Sequence, residues 1–135
     1  MIRFVVCKEF SADPQRVWEV VSDVSRVPEF WRGTRELRVK ETQRDVFEGE
    51  IRFAFPAKGL IRITRDPVRR SMTFQYLKGP VKGTNEVTVN ESELCSEWSV
   101  SLSFPYSVLE KRIAGHFRKG TENALERVIA TASRT

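Results

Sequence analysis

The chain has 135 residues, 40 % of them hydrophobic and 30 % charged, with a formal net charge of +5. This length suits a single domain, 1–135, that buries about two thirds of the surface its unfolded chain exposes. No apolar run nears the ~20 residues that span a bilayer, and charge interrupts the amino-terminal MIRFVVCKEF too early for a signal-peptide core, so the expected location is cytoplasmic.

Residues 2–10 read as a strand of β-branched and aromatic residues. Asp13 then offers an N-cap oxygen and Pro14 suits the first position of a helix. Val17, Val20, Val21 and Val24 recur at i, i+3, i+4 and i+7, an apolar stripe that must lie against other apolar surface. Ser25 is placed to cap a second short helix with Pro28 in its first turn, and Gly33 lets the chain leave it.

From Thr34 to Phe104 the period becomes twofold. Phe47, Ile51, Phe53 and Phe55 fall opposite Glu48, Glu50 and Arg52; Met72, Phe74 and Tyr76 fall opposite Thr73 and Gln75. Trp98, Val100, Leu102 and Phe104 fall opposite Glu97, Ser99, Ser101 and Ser103. Leu37 with Val39, Ile61 with Ile63, and Val87 with Val89 extend the rule. Breaks near Arg44–Asp45, Pro56–Gly59, Asp66–Arg69, Gly79–Gly83 and Glu91–Glu93 are short and rich in turn formers, which predicts an antiparallel meander with one wet and one apolar face.

After Pro105 the helical period returns, with Leu109, Ile113, Phe117, Ala124 and Val128 as the inward stripe of a helix from Ser107 to Ser133, ~40 Å long at ~1.5 Å per residue. The predicted order is β-α-α-β6-α, an α+β fold in which a seven-stranded antiparallel sheet has one long helix to cover its apolar face. A helix ~10 Å wide leaves a gap on the concave side unless large side chains fill it. Nine Phe and three Trp are the residues that either fill that gap or line a ligand pocket.

The stretch SADPQRVWEVVSDVSRVPEFW resembles the amino-terminal signature of the START-related helix-grip superfamily, also called SRPBCC, which includes polyketide cyclases and lipid-transfer domains. The resemblance rests on Ala12 and Pro14, on Val17 and Trp18, on Ser22-Asp23-Val24 and on Pro28-Glu29-Phe30-Trp31. KGTNEVTVNESELCSEWSVSLSF is similar to the family's last two long strands, and the terminal helix falls where the family has its lid. The resemblance implies a helix-grip fold, a curved sheet around the long carboxy-terminal helix. SDVSRVPEFW further resembles coenzyme Q-binding START-like and cyclase-like proteins, and the opening motif is shared with the accessory protein associated with carbon monoxide dehydrogenase. The resemblance to the coenzyme Q-binding and cyclase-like proteins implies a hydrophobic, prenyl-like or polycyclic ligand.

Three functions are weighed. The first is binding or transfer of a small hydrophobic ligand (lipid, quinone or polyketide-like), with Phe30 and Trp31 at the end of the pocket and Phe53, Phe55, Phe74, Tyr76, Trp98, Val100, Ile113, His116 and Phe117 on its wall. The second is a cyclase, aromatase or dehydratase in the same cavity, with His116, the only histidine, or Tyr76 moving a proton. Tyr106 is a further phenol near the helix start. The third is a basic interaction or accessory protein using Arg38, Arg52 and Arg62 on the outer sheet face. These alternate with Glu36, Glu48 and Glu50, so no specific nucleic-acid contact is expected. RDPVRR, Arg65 to Arg70, is the densest positive group and reads as a solvated turn, with an anion contact as the alternative. No cofactor, metal site or membrane span is expected; peripheral membrane contact and protein partners are left open. Cys7 and Cys95 match no metal spacing and are expected as free buried thiols, a disulfide requiring that the first and last strands be neighbours.

Overall fold

Alternation within IRFVVCKE turns Ile2, Phe4 and Val6 to the interior and Arg3, Val5 and Cys7 outward along strand β1 (Ile2–Glu9). The computed structural model describes residues 1–55 and 57–134; Pro56, at which one expected break begins, and Thr135 lie outside them. Asp13 accepts the Gln15 amide at 3.0 Å and Pro14 opens helix α1 (Pro14–Val21), which buries Val17, Trp18, Val20 and Val21. The helix stops there, so Val24, the last member of the expected stripe, is buried in the following turn instead. That turn, Val24–Arg26, is capped by Asp23 and not by Ser25. The Asp23 carboxylate takes both the Ser25 amide (3.1 Å) and the Ser25 hydroxyl (2.6 Å), so the capping acceptor is the Asp23 oxygen. Helix α2 (Val27–Phe30) follows at once and itself has no side-chain cap.

The remaining strands are β2 (Thr34–Gln43), β3 (Val46–Phe53), β4 (Lys58–Asp66), β5 (Ser71–Lys78), β6 (Val81–Val89) and β7 (Glu93–Leu102). They form one antiparallel sheet in the order β1-β7-β6-β5-β4-β3-β2, so α1 and α2 carry the chain from one sheet edge to the other. Register shifts in β2 against β3, and between Leu60 and Ile61, add bend. Gly83 in β6 has φ +134°, and a Cβ there would meet the backbone of Ser99 and Val100, so glycine alone permits this approach of β6 to β7.

A turn at Tyr106–Leu109 leads into helix α3 (Glu110–Ala132), which packs on β1, β7, α1 and α2. This is the helix-grip fold. Burial along α3 is uneven. Thr121, Ala124, Leu125, Val128 and Ala132 are buried, whereas Ile113 and Phe117 are half-buried and Leu109, just before the helix, is 51 % exposed. The expected stripe is therefore sealed only from Thr121 onward. β7 also ends before Phe104, which is 82 % exposed instead of facing inward.

The cysteines correct the sequence reading. β1 and β7 are neighbours with Cys7 directly opposite Cys95, Cα atoms 4.1 Å apart, and the two form a disulfide. They lie on the outer face, Cys7 exposed and Cys95 half-buried, because Val6, Leu94 and Ser96 take the inward positions. Across the same face Arg38, Arg52 and Arg62 pair with Glu36, Glu50 and Glu48. Hydrogen bonds from Thr42 and Arg62 hold the Glu48 carboxyl below its usual range. In RDPVRR, Arg65 binds Asp45 (3.1 Å) and the Ser22 carbonyl (3.0 Å) and stacks on Phe47, while Arg70 reaches Gln15 and Glu91. Both arginines join parts of the fold.

The two halves of α3 should differ under mutation. Leu125→Ala is expected to cost about 3 kcal/mol in denaturant unfolding, and Leu109→Ala no more than about 0.5 kcal/mol.

Candidate ligand cavity

The inward strand positions share one face of the sheet, and α3, packed on β1 and β7, covers only part of it. The space beneath the helix is a cavity of about 70 Å³. This is room for roughly five water molecules. Ile51 and Phe53 of β3, Ile61 of β4, Phe74 and Tyr76 of β5, Val81 and Asn85 of β6 and Trp98 of β7 form the sheet wall. Val27, Trp31, Gly33, Thr34 and Leu37 close one end, and His116, Phe117, Gly120 and Thr121 of α3 lie above.

Trp98 is the centre of the aromatic packing. Its ring stacks with Phe4 at 6.0 Å and Tyr76 at 5.8 Å, with Phe117 at 5.2 Å and Trp31 at 6.5 Å completing the group. Trp31 also meets Phe74 edge to face at 5.9 Å. Each such pair contributes about 0.5–1.5 kcal/mol beyond its area. These rings occupy much of the gap left by the narrow helix.

The polar groups are few. Asn85 is buried, and its side-chain oxygen accepts the Ser96 hydroxyl at 2.6 Å. The Thr121 hydroxyl donates to the Phe117 carbonyl at 2.7 Å and is spent within the helix. Burial pushes the Tyr76 phenol well above its ordinary range, opposed in part by the neighbouring Asn85 amide. The indole N–H groups of Trp31 and Trp98 are buried without a partner, each an unmet donor worth about 1–3 kcal/mol. No Asp, Glu, Lys or Arg stands among the lining residues. Among the described residues no three His, Cys, Asp or Glu side chains gather as metal ligands do.

Of the residues selected from sequence, Trp31, Phe53, Phe74, Tyr76, Trp98, His116 and Phe117 meet around this cavity. Phe30 lies outside it, its ring under the Arg26 guanidinium and its carbonyl accepting Arg127 at 2.8 Å. Phe55 stands at the mouth, stacked on Phe53 and 5.2 Å from Tyr106. Val100 is buried in β7 opposite Ile2 and Gly83, and Ile113 lies on the half-buried part of α3. Sequence reasoning misses Asn85, although its inward register beside Val81, Val87 and Val89 makes it the polar interruption of an apolar row. It misses Gly120 and Thr121 too, although the α3 stripe has small side chains between Phe117 and Ala124.

The family model of polyketide cyclase/dehydrase and lipid transport proteins matches residues 10–127, and the chain belongs to that family. No curated protein sequence matches it. Among solved structures it is similar to TTHA0849 from Thermus thermophilus, at 13 % identity and TM-score 0.77 over 97 % of this chain and 99 % of that one. It is also similar to the Zhui aromatase/cyclase from Streptomyces sp. R1128, at 17 % identity and TM-score 0.74 over 98 % and 93 %. A START superfamily protein from Mycobacterium smegmatis aligns at 14 % identity and TM-score 0.72 over 97 % and 99 %. At these identities the likeness is one of fold.

Above the ordinary tyrosine pKa of about 10, the unfolded chain gives up a proton that folded Tyr76 retains. Stability supplied by the neutral phenol is thus whole below pH ~10 and falls as pH rises further. Tyr76→Phe is expected to flatten that alkaline decline in unfolding experiments.

Proposed function

We propose that the cavity binds a small, uncharged, largely aromatic molecule carrying hydrogen-bond acceptor oxygens, for sequestration or transfer. The observation that carries this reading is the pairing of an uncharged apolar wall with two partnerless indole donors, Trp31 and Trp98. An acceptor oxygen brought against either N–H relieves a buried unmet group, and an ion would find no counter-charge there. The cavity's size favours one or two rings. A longer ligand extends past Phe117 and Ile113, where α3 is least buried.

Tryptophan quenching on titration with naphthoquinone and with naphthalene tests this. The quinone is expected to bind more tightly, and Trp31→Phe or Trp98→Phe to weaken it by about fivefold each while sparing the hydrocarbon. Failure of both compounds to bind up to their solubility limits ends the proposal.

A second reading, cyclase, aromatase or dehydratase chemistry, is favoured by Tyr76 and His116 being the two titratable side chains on the wall, and the fold is shared with an aromatase/cyclase. Tyr76 holds its proton firmly and so serves as a hydrogen-bond donor to a ligand carbonyl, with His116 left to move a proton. Ring closure of a reactive poly-β-keto chain is expected to fall at least about tenfold in Tyr76→Phe and in His116→Ala. Turnover unchanged in both variants removes this reading.

A further inference from the structure

The segment after β7 places apolar side chains in solvent at one end of the molecule. Phe104, just before the turn, is 82 % exposed, and Val108 and Leu109, on it, are 72 % and 51 % exposed. Large apolar groups displayed together mark a surface with a partner. The turn is held in place by backbone and hydroxyl contacts, the Ser103 amide donating to the Pro80 carbonyl at 2.9 Å and the Ser103 hydroxyl to the Gly79 carbonyl at 3.0 Å.

Those contacts set the apolar tip beside a group of cations. Lys78 and Lys82 flank the Gly79–Pro80 turn, Lys82 pairing across the sheet with Ser101, and Lys111 and Arg112 follow Leu109 in the first turn of α3. All four are exposed, and among the described residues none of their charged groups has an ion-pair or hydrogen-bonding partner. Glu110 stands among them, and its carboxylate is taken by the Met1 amino group at 2.9 Å. On the outer sheet face, by contrast, Arg38, Arg52 and Arg62 are matched by glutamates. Four cations without an ion-pair partner among the described residues therefore flank the segment from which the apolar side chains project.

We propose that this end of the molecule, Phe104, Val108 and Leu109 with Lys78, Lys82, Lys111 and Arg112, docks onto an anionic lipid surface. The aromatic and aliphatic tips enter the interface while the four cations meet the headgroups. A second copy of this chain is a poor occupant, since a twofold contact would bring like charges together. The projecting side chains suit a fluid interface better than a folded protein, which would need to offer a matching cavity for each. The surface also adjoins the ligand cavity, because Tyr106 reaches Phe55, which stacks on the wall residue Phe53. The docking argument itself does not depend on what the cavity holds.

Flotation with vesicles of equimolar phosphatidylglycerol and phosphatidylcholine, against phosphatidylcholine alone, tests the proposal. The protein is expected to float with the anionic vesicles only, and less so as salt rises. Phe104→Ser with Val108→Ser is expected to lower the partition about tenfold or more. Lys78→Glu with Lys82→Glu is expected to lower it about twentyfold or more. All four substitutions are at exposed positions, so unfolding midpoints and naphthoquinone binding should stay as in the unmodified chain. Absence of binding to anionic vesicles overturns the proposal, even where an acidic protein binds instead. Binding that survives the Phe104 and Val108 changes also overturns it, since charge alone would then account for the contact.

Discussion

A sheet of seven strands is roughly 29 Å from first strand to last at ~4.8 Å per step, and the helix laid across it is ~10 Å wide. This disparity governs the interior. The buried apolar side chains of β3 to β7 point at the concave face, yet α3 lies chiefly against β1 and β7, and the span towards β2 must be closed by something else. The one-turn helix α2 and Trp31 close one end. The rings around Trp98 take up much of the middle, and what they leave is the cavity.

The uneven burial of α3 follows from the same disparity. Its second half rests against α1 and α2, where Ala124, Leu125 and Val128 are sealed. Its first half runs beside β1, with Arg118 over the Phe4 ring and Phe117 against Trp98, and is only partly buried. Gly115 and Gly120 lie in this half, and neither position is crowded, since a Cβ at either would meet nothing within 4 Å. Glycine there lowers helix propensity by about 1 kcal/mol per residue relative to alanine with no packing gain to offset it. Weak intrinsic helicity and weak packing thus coincide above the cavity.

The order of elements along the chain, the inward alternation and the cap at Asp13 were legible in the sequence because each rests on neighbours two to four positions apart. The same local patterns placed Trp31, Phe53, Phe74, Tyr76 and Trp98 on one face, and the sheet brought them together. What was not legible depended on distances between elements. Phe30 and Phe55 belong to the right segments, yet the directions of α2 and of the β3–β4 turn take them off the cavity wall. The choice of Asp23 over Ser25 as cap turned on which acceptor oxygen reaches the free amide, which spacing alone does not decide. The cysteine pairing required β1 to return beside β7, a consequence of the crossing made by α1 and α2. The outward facing of both cysteines was already implicit in the alternation around Val6 and Trp98.

That pairing reaches beyond the two residues. Cys7 and Cys95 are 88 positions apart, and the bond between them closes a covalent ring that contains α1, α2 and all of β2 to β6. Helix α3 lies wholly outside it. Closing so long a loop restricts the unfolded chain by on the order of 4 kcal/mol in the chain-entropy account, and this restriction acts on the sheet and its end brace. The cover of the cavity is a free tail attached to a ring. The ring's contribution therefore stabilises the strands and their end brace and does not depend on where the start of that tail lies.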